Sequence, residues 1–170
     1  MSCEAPATGH SRPGHRAAAA LALAAMLSAP PAGAAPACES AGPAEAQALA
    51  ERAAALLEQA GPKRAFTTFM IADGGFIDRD LYVFVIDFDG TLWANGAFPN
   101  SVGSAAVDAH TADGHYYIRE MISVAAERGT GWVEYEWINP CTGEFEPKVS
   151  YVIRVGRFII GVGAYGTVGT

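Results

Sequence analysis

Basic charge is scarce in this chain. Lys and Arg number 11 against 18 Asp and Glu, a formal net charge of -7. No basic patch exists to release counterions from a phosphate backbone, which excludes nucleic-acid binding. Charged residues of either sign make up only 17%, while hydrophobic residues reach 51%. A disordered acidic tail would have the reverse composition. Beyond the first forty residues no apolar run reaches about 18 positions, so that sequence predicts no membrane-spanning helix. Motifs for nucleophilic catalysis are missing: Ser150 lacks an S-x-x-K or G-x-S-x-G context. His110 and His115 have no partner Cys or clear carboxylate frame, and read as surface residues rather than metal ligands. No cofactor is implied. The length fits one ordinary domain.

What is present begins with a processing segment. Arg12, His15 and Arg16 precede the apolar run Ala17 to Leu27. Pro, Gly and Ala follow, with Ala32-Gly33-Ala34 as an A-x-A cleavage site. This order predicts a secretory signal peptide over residues 1–37. A run that short spans about 16 Å, against about 30 Å of hydrocarbon, so it does not read as an anchor. The expected location is periplasmic or secreted. Of the three cysteines, Cys3 leaves with the signal. Cys38 and Cys141 are an even pair in an oxidising compartment and could form a disulfide. Closing a loop of about 100 residues would stabilise by a few kcal/mol. Ala35-Pro36-Ala37-Cys38 also loosely resembles a lipoprotein box. Acylation of Cys38 would exclude the disulfide.

The remainder divides by periodicity. Ala44 to Ala60 is rich in Ala, Leu, Glu and Gln, with Leu49, Ala53, Leu56, Leu57 and Ala60 on one stripe. This predicts an N-terminal helix within residues 38–62, stopped by Gly61-Pro62. Lys63 to Met70 predicts a second short helix. Leu81 to Ile86 and Thr91 to Asn95 read as a hairpin around Asp87-Phe88-Asp89-Gly90. His115 to Arg128 predicts a helix. Strands follow at Trp132 to Ile138, Lys148 to Val155 and Phe158 to Tyr165. In the first of these, Val133, Tyr135 and Trp137 share one face, and Trp132, Glu134, Glu136 and Ile138 the other. The last three strands lack helical crossovers, so the sheet should be antiparallel, with helices on one side. The fold class is α+β.

Two resemblances compete for the strand at Leu81 to Ile86. Val83-Phe84-Val85-Ile86-Asp87-Phe88-Asp89-Gly90-Thr91-Leu92 resembles the first motif of the haloacid dehalogenase-like phosphatases. That likeness implies Asp87 as nucleophile and Asp89 as acid or base, with Mg²⁺ beside them. The rest of that family's pattern is missing. No later strand ends in a paired acidic motif, and the catalytic lysine could only be Lys148. Asp-x-Asp-Gly is equally turn chemistry.

The second resemblance covers most of residues 63–166. Asp78-Arg79-Asp80-Leu81-Tyr82-Val83-Phe84-Val85, Asp89-Gly90, Asn95-Gly96 and Asn100-Ser101-Val102-Gly103 resemble a Cache domain, an extracytoplasmic small-molecule sensor module. The likeness continues through Asp113-Gly114, Ile118-Arg119-Glu120-Met121, Gly129 to Trp137, Asn139-Pro140, Lys148 to Val152 and Gly161 to Tyr165. It is similar to the single Cache type, one sensor module after a long N-terminal helix, ahead of a short tail at 167–170. The resemblance implies a PAS-like antiparallel sheet of about five strands flanked by helices. It also implies a pocket for an organic acid or amino acid.

A carboxylate site needs Arg or Lys with Tyr or Trp donors nearby. The candidates are Arg119, Lys148, Tyr135, Trp137, Tyr151, Tyr117, Asn95 and Tyr82. Some have a plainer reading: Arg119 as a surface charge paired with a Glu, Lys148 as a solvated strand end, and one of Tyr135 and Trp137 as core. Expected partners are the small ligand and a membrane receptor or transporter, with the chain a monomer or homodimer. A purely structural envelope role is the remaining alternative.

Overall fold

The computed structural model describes residues 39–166. Residues 1–37, read from the sequence as a signal peptide, Cys38 and the tail at 167–170 lie outside the described residues. Helix α1 (Pro43–Phe69) opens with Pro at its first turn, and the Glu45 carboxylate accepts the Gly42 N–H at 2.9 Å. Both features suit a helix start. Gly61 at φ +75° breaks α1 into two helical segments, as the Gly-Pro pair predicts.

The strands are β1 (Ile77–Asp78), β2 (Leu81–Asp87), β3 (Leu92–Asn95), β4 (Thr130–Ile138), β5 (Phe145–Val155) and β6 (Phe158–Tyr165). They form one antiparallel sheet ordered β1-β2-β6-β5-β4, with β3 also paired to β2. Helix α2 (Tyr117–Arg128) lies between β3 and β4 in sequence.

The helices cover opposite faces, which corrects the expectation of helices on one side. Alternation along β2 shows why. Leu81, Val83 and Val85 join Leu49, Ala53, Leu57, Phe66 and Phe69 of α1 in one apolar cluster. Tyr82, Phe84 and Ile86 join Tyr117, Ile118, Met121 and Val124 of α2 in another. A strand buried on both faces needs no polar alternation, hence the continuous apolar run of β2. Among the described residues no helix is long and apolar enough to cross a membrane.

Candidate ligand-binding site

Register places the site. Tyr135 of β4 stands opposite Lys148 of β5, and Lys148 opposite Tyr165 of β6. The three side chains therefore form one row across three strands, on the face covered by α2. The neighbouring row contains Ser150 opposite Gly163. Lys148 crosses diagonally over Gly163, where a Cβ would come within 2.2 Å of its Cε. Its Nζ donates to Tyr82 Oη at 2.8 Å and to Tyr165 Oη at 3.1 Å. It also lies 4.0 Å from the Tyr82 ring centroid and 4.5 Å from that of Tyr165. Tyr165 Oη donates onward to the Ile138 carbonyl at 2.7 Å, and Tyr135 and Ser150 share a 2.9 Å hydroxyl contact.

Lys148 is only 2% exposed. Among the described residues no carboxylate oxygen lies within 4.0 Å of its amine. Burial drives the amine well below its ordinary pKa, and the negative charge of Asp80 opposes only part of that effect. Asp80 is itself fully buried; its Oδ1 accepts the Ala41 N–H at 2.8 Å, and its Oδ2 has no partner. Burial also pushes the phenols up: Tyr117 to about 12, and Tyr82 and Tyr135 well above the ordinary value.

Above this row lies a cavity of about 240 Å³, lined by Phe84, Leu92, Asn95, Phe98, Ala105, Tyr117, Met121, Tyr135 and Trp137 among others. Its wall is mostly apolar, with a few polar groups, the usual make-up of a small-molecule site. Tyr117 stacks on Tyr135 at 4.5 Å, and Phe98 packs edge-on against both Tyr82 and Trp137. Asn95 Oδ1 accepts the Ala97 and Phe98 N–H groups, so it holds the loop that presents Phe98. Neither Lys148 nor Tyr82 is on this wall, and Tyr135 borders both this cavity and the space beside Lys148. Lys148 lines a second recess, about 460 Å³, together with Tyr135, Asp113, His115, Glu134 and Glu136.

Six of the eight expected residues thus converge: Lys148, Tyr135, Trp137, Tyr117, Asn95 and Tyr82. Two do not. Arg119 is exposed, paired with Asp108 and stacked 4.2 Å over the Tyr116 ring, with its Nε on the Val107 carbonyl. It holds the loop before α2 and does not line either recess. Tyr151 occupies the opposite parity of β5 from Lys148. It packs with the α1-side cluster and meets the Trp132 ring at 4.9 Å. Sequence reasoning missed Tyr165, Ser150 and Phe98. The alternation Gly161, Gly163, Tyr165 was the available signal, since glycines in a strand mark close approach.

The Asp-x-Asp-Gly motif is structural. Asp87 Oδ1 accepts the N–H groups of Asp89 and Thr91, while Oδ2 accepts the Trp93 indole N–H at 2.8 Å and faces Arg157 at 3.6 Å. Both oxygens are committed, and Asp89 is exposed. Among the described residues no cluster of His, Cys, Asp and Glu could hold a metal ion. The phosphatase reading finds no support here. Cys141 is disulfide-bonded, and the other two cysteines lie outside the described residues.

A six-stranded antiparallel sheet, with a long helix on one face and an aromatic pocket under a short helix on the other, defines a PAS-like sensor module. Residues 41–167 match the model of the Single Cache domain 2 family, and the chain belongs to that family. A sensor histidine kinase, MctS of Rhizobium johnstonii (strain DSM 114642 / LMG 32736 / 3841), is 32% identical over 89 residues. That match spans 51% of this chain and 19% of the kinase, so the chain corresponds to a small part of that relative. Three solved structures share the fold. The periplasmic sensor domain of a chemotaxis protein has TM-score 0.59 and 20% identity, covering 73% of this chain and 90% of that one. A methyl-accepting chemotaxis protein from Vibrio parahaemolyticus RIMD 2210633 has TM-score 0.63 and 17% identity, covering 72% and 86%. A Cache chemosensory domain described in terms of carboxylic acid recognition has TM-score 0.58 and 21% identity, covering 73% and 88%.

Proposed function

We propose that this chain is an exported sensor module that binds a small organic acid between the sheet and α2. The observation that carries the reading is the Lys148 amine, buried among hydroxyls with no carboxylate partner among the described residues, in a recess that shares Tyr135 with the apolar cavity. An anion entering there gains a charge-assisted partner and phenolic donors, while the aromatic wall takes the carbon skeleton. The structural relative described for carboxylic acid recognition supports the same ligand class. Binding shifts the population between open and closed arrangements of the loop carrying Phe98.

Export rests on the segment at residues 1–37, and the periplasmic description of a structural relative agrees with it. Cys38 is the natural partner for Cys141 once Cys3 is removed with the signal, which argues for the disulfide over acylation. The kinase and chemotaxis relatives support a membrane receptor as the output partner.

The test is a thermal-shift screen of the purified chain against small mono- and dicarboxylates, amino acids and amines. A ligand at 100 times its dissociation constant should add about 2.7 kcal/mol of stability. The expected result is a carboxylate hit that disappears in Lys148→Met. Stabilisation by amines alone, or a carboxylate hit that survives Lys148→Met, would sink the reading.

A further inference from the structure

We infer that the Lys148 amine is uncharged while the site is empty, and that an acid binds together with one proton taken up at Lys148 Nζ. The inference rests on the acid-binding reading above and adds the charge state and its regulation by pH.

The geometry supplies the argument. The groups in contact with the Lys148 amine carry no charge; the recess it lines also holds Asp113 and His115 from the loop before α2 and Glu134 and Glu136 from β4, and no carboxylate among them lies within 4.0 Å of the amine. Tyr82 faces it from β2, Tyr165 from β6, and Ser150 and Tyr135 stand beside it on β5 and β4. Tyr117 of α2 stacks beyond Tyr135. Burial raises the pKa of all four phenols, so they stay neutral across the working range. Among the described residues, Asp80, in the turn before β2, supplies the charge that opposes the effect of burial on Lys148, and it makes no ion pair with that lysine. A buried ammonium without a counter-ion sheds its proton rather than bear the desolvation cost.

A bound carboxylate reverses that balance by supplying the missing negative charge. The step is RCOO⁻ plus H⁺ plus Lys148 amine, giving RCOO⁻ paired with Lys148 ammonium. One N–H bond forms, the proton comes from the buffer, and no bond in the acid changes. Linkage then sets the sign. Above the pKa of the empty site, affinity falls about tenfold per pH unit. A permanently charged site would bind with flat pH dependence over the same range.

The chain makes the test simple, because Lys63 and Lys148 are its only lysines and Lys63 is exposed. Full-length protein carrying ¹³C at lysine Cε should give two signals, with Lys148→Met assigning one. The Lys148 signal should reach its neutral-amine position well below the midpoint of an ordinary lysine, about 10.4. Calorimetry with acetate and propionate, in buffers of different ionisation enthalpy, should show uptake of about one proton per acid bound. An ammonium signal persisting past about pH 10 overturns the inference without reference to any ligand. So does acid binding with no proton uptake. If Lys148 is neutral yet neither acid binds at any pH, the coupling and the proposed ligand class fall, while the neutral amine of the empty site stands.

Discussion

Gly163 lies directly beneath Lys148: a Cβ on Gly163 would meet Lys148 Cε at 2.2 Å and Ser150 Oγ at 2.3 Å. The lysine can lie flat across β6 and reach Tyr82 only because nothing projects there. Gly163→Ala should lift the aliphatic stem and break the Nζ contacts to Tyr82 and Tyr165. Overpacking of this kind costs about 1–3 kcal/mol. A lower melting temperature together with loss of the carboxylate-induced shift is expected. Unchanged stability would mean the lysine is not pinned against the strand.

Lys148 should trade stability for function. Replacing a buried polar group by an apolar one of similar volume is often neutral or stabilising. Lys148→Met keeps the stem over Gly163 and removes the desolvated amine. Tyr165 retains its bond to the Ile138 carbonyl. The variant should melt within about 1 kcal/mol of the parent, or above it, with no response to carboxylates. A large destabilisation would show instead that the amine is a structural keystone.

How far the sequence revealed this site depends on what period alone can say. The face shared by Val133, Tyr135 and Trp137 followed from strand alternation, and β4 bears it out. The apolar run of β2 marked a hairpin strand, but its place inside the sheet and the face each residue serves needed the other strands and the two helices in place. Placing both helices on one side failed because connection order does not reveal which face a helix returns to. Arg119 looked attractive as a cation near tyrosines. Its helical phase points it at Asp108 instead. Tyr151 failed on parity: three residues from Lys148 in a strand is the opposite face. The convergence of Lys148 with Tyr82 and Tyr165 depends on register between distant strands, which local pattern does not encode.

Arg119→Ala is accordingly expected to leave ligand binding intact. Its ion pair with Asp108 is largely exposed, with side-chain exposures of 54% and 78%. Exposed pairs contribute about 0–1 kcal/mol. Melting should change little, and the carboxylate-induced shift should match the parent. A lost shift would place Arg119 in the site despite its geometry.

Asp80 should tune the lysine at a distance. Its negative charge holds the Lys148 pKa up against burial. Asp80→Asn removes that charge while keeping an acceptor for the Ala41 N–H. The ¹³C titration of Lys148 should move to lower pH, and acid affinity at neutral pH should weaken. An unmoved titration would show that the two residues do not communicate.

Asp87 supplies a pH-dependent contribution to stability. Burial raises its pKa, but hydrogen bonds from Trp93 and from the Thr91 and Asp89 N–H groups, with the charge of Arg157, outweigh it and hold the carboxylate below its ordinary value. A depressed folded pKa means the contribution is present above the ordinary value, about 3.9, and is lost as pH falls through the lower folded value. Asp87→Asn turns a donor toward the Trp93 indole N–H or toward the two backbone N–H groups, leaving buried donors facing one another. The cost should be about 1–3 kcal/mol at neutral pH. Denaturant melts of parent and variant should therefore differ clearly at pH 7, with the gap narrowing as pH falls below about 3.9 and closing once pH passes the lower folded value. A gap that does not narrow at any pH below about 3.9 would show that the loss is one of shape rather than of charge.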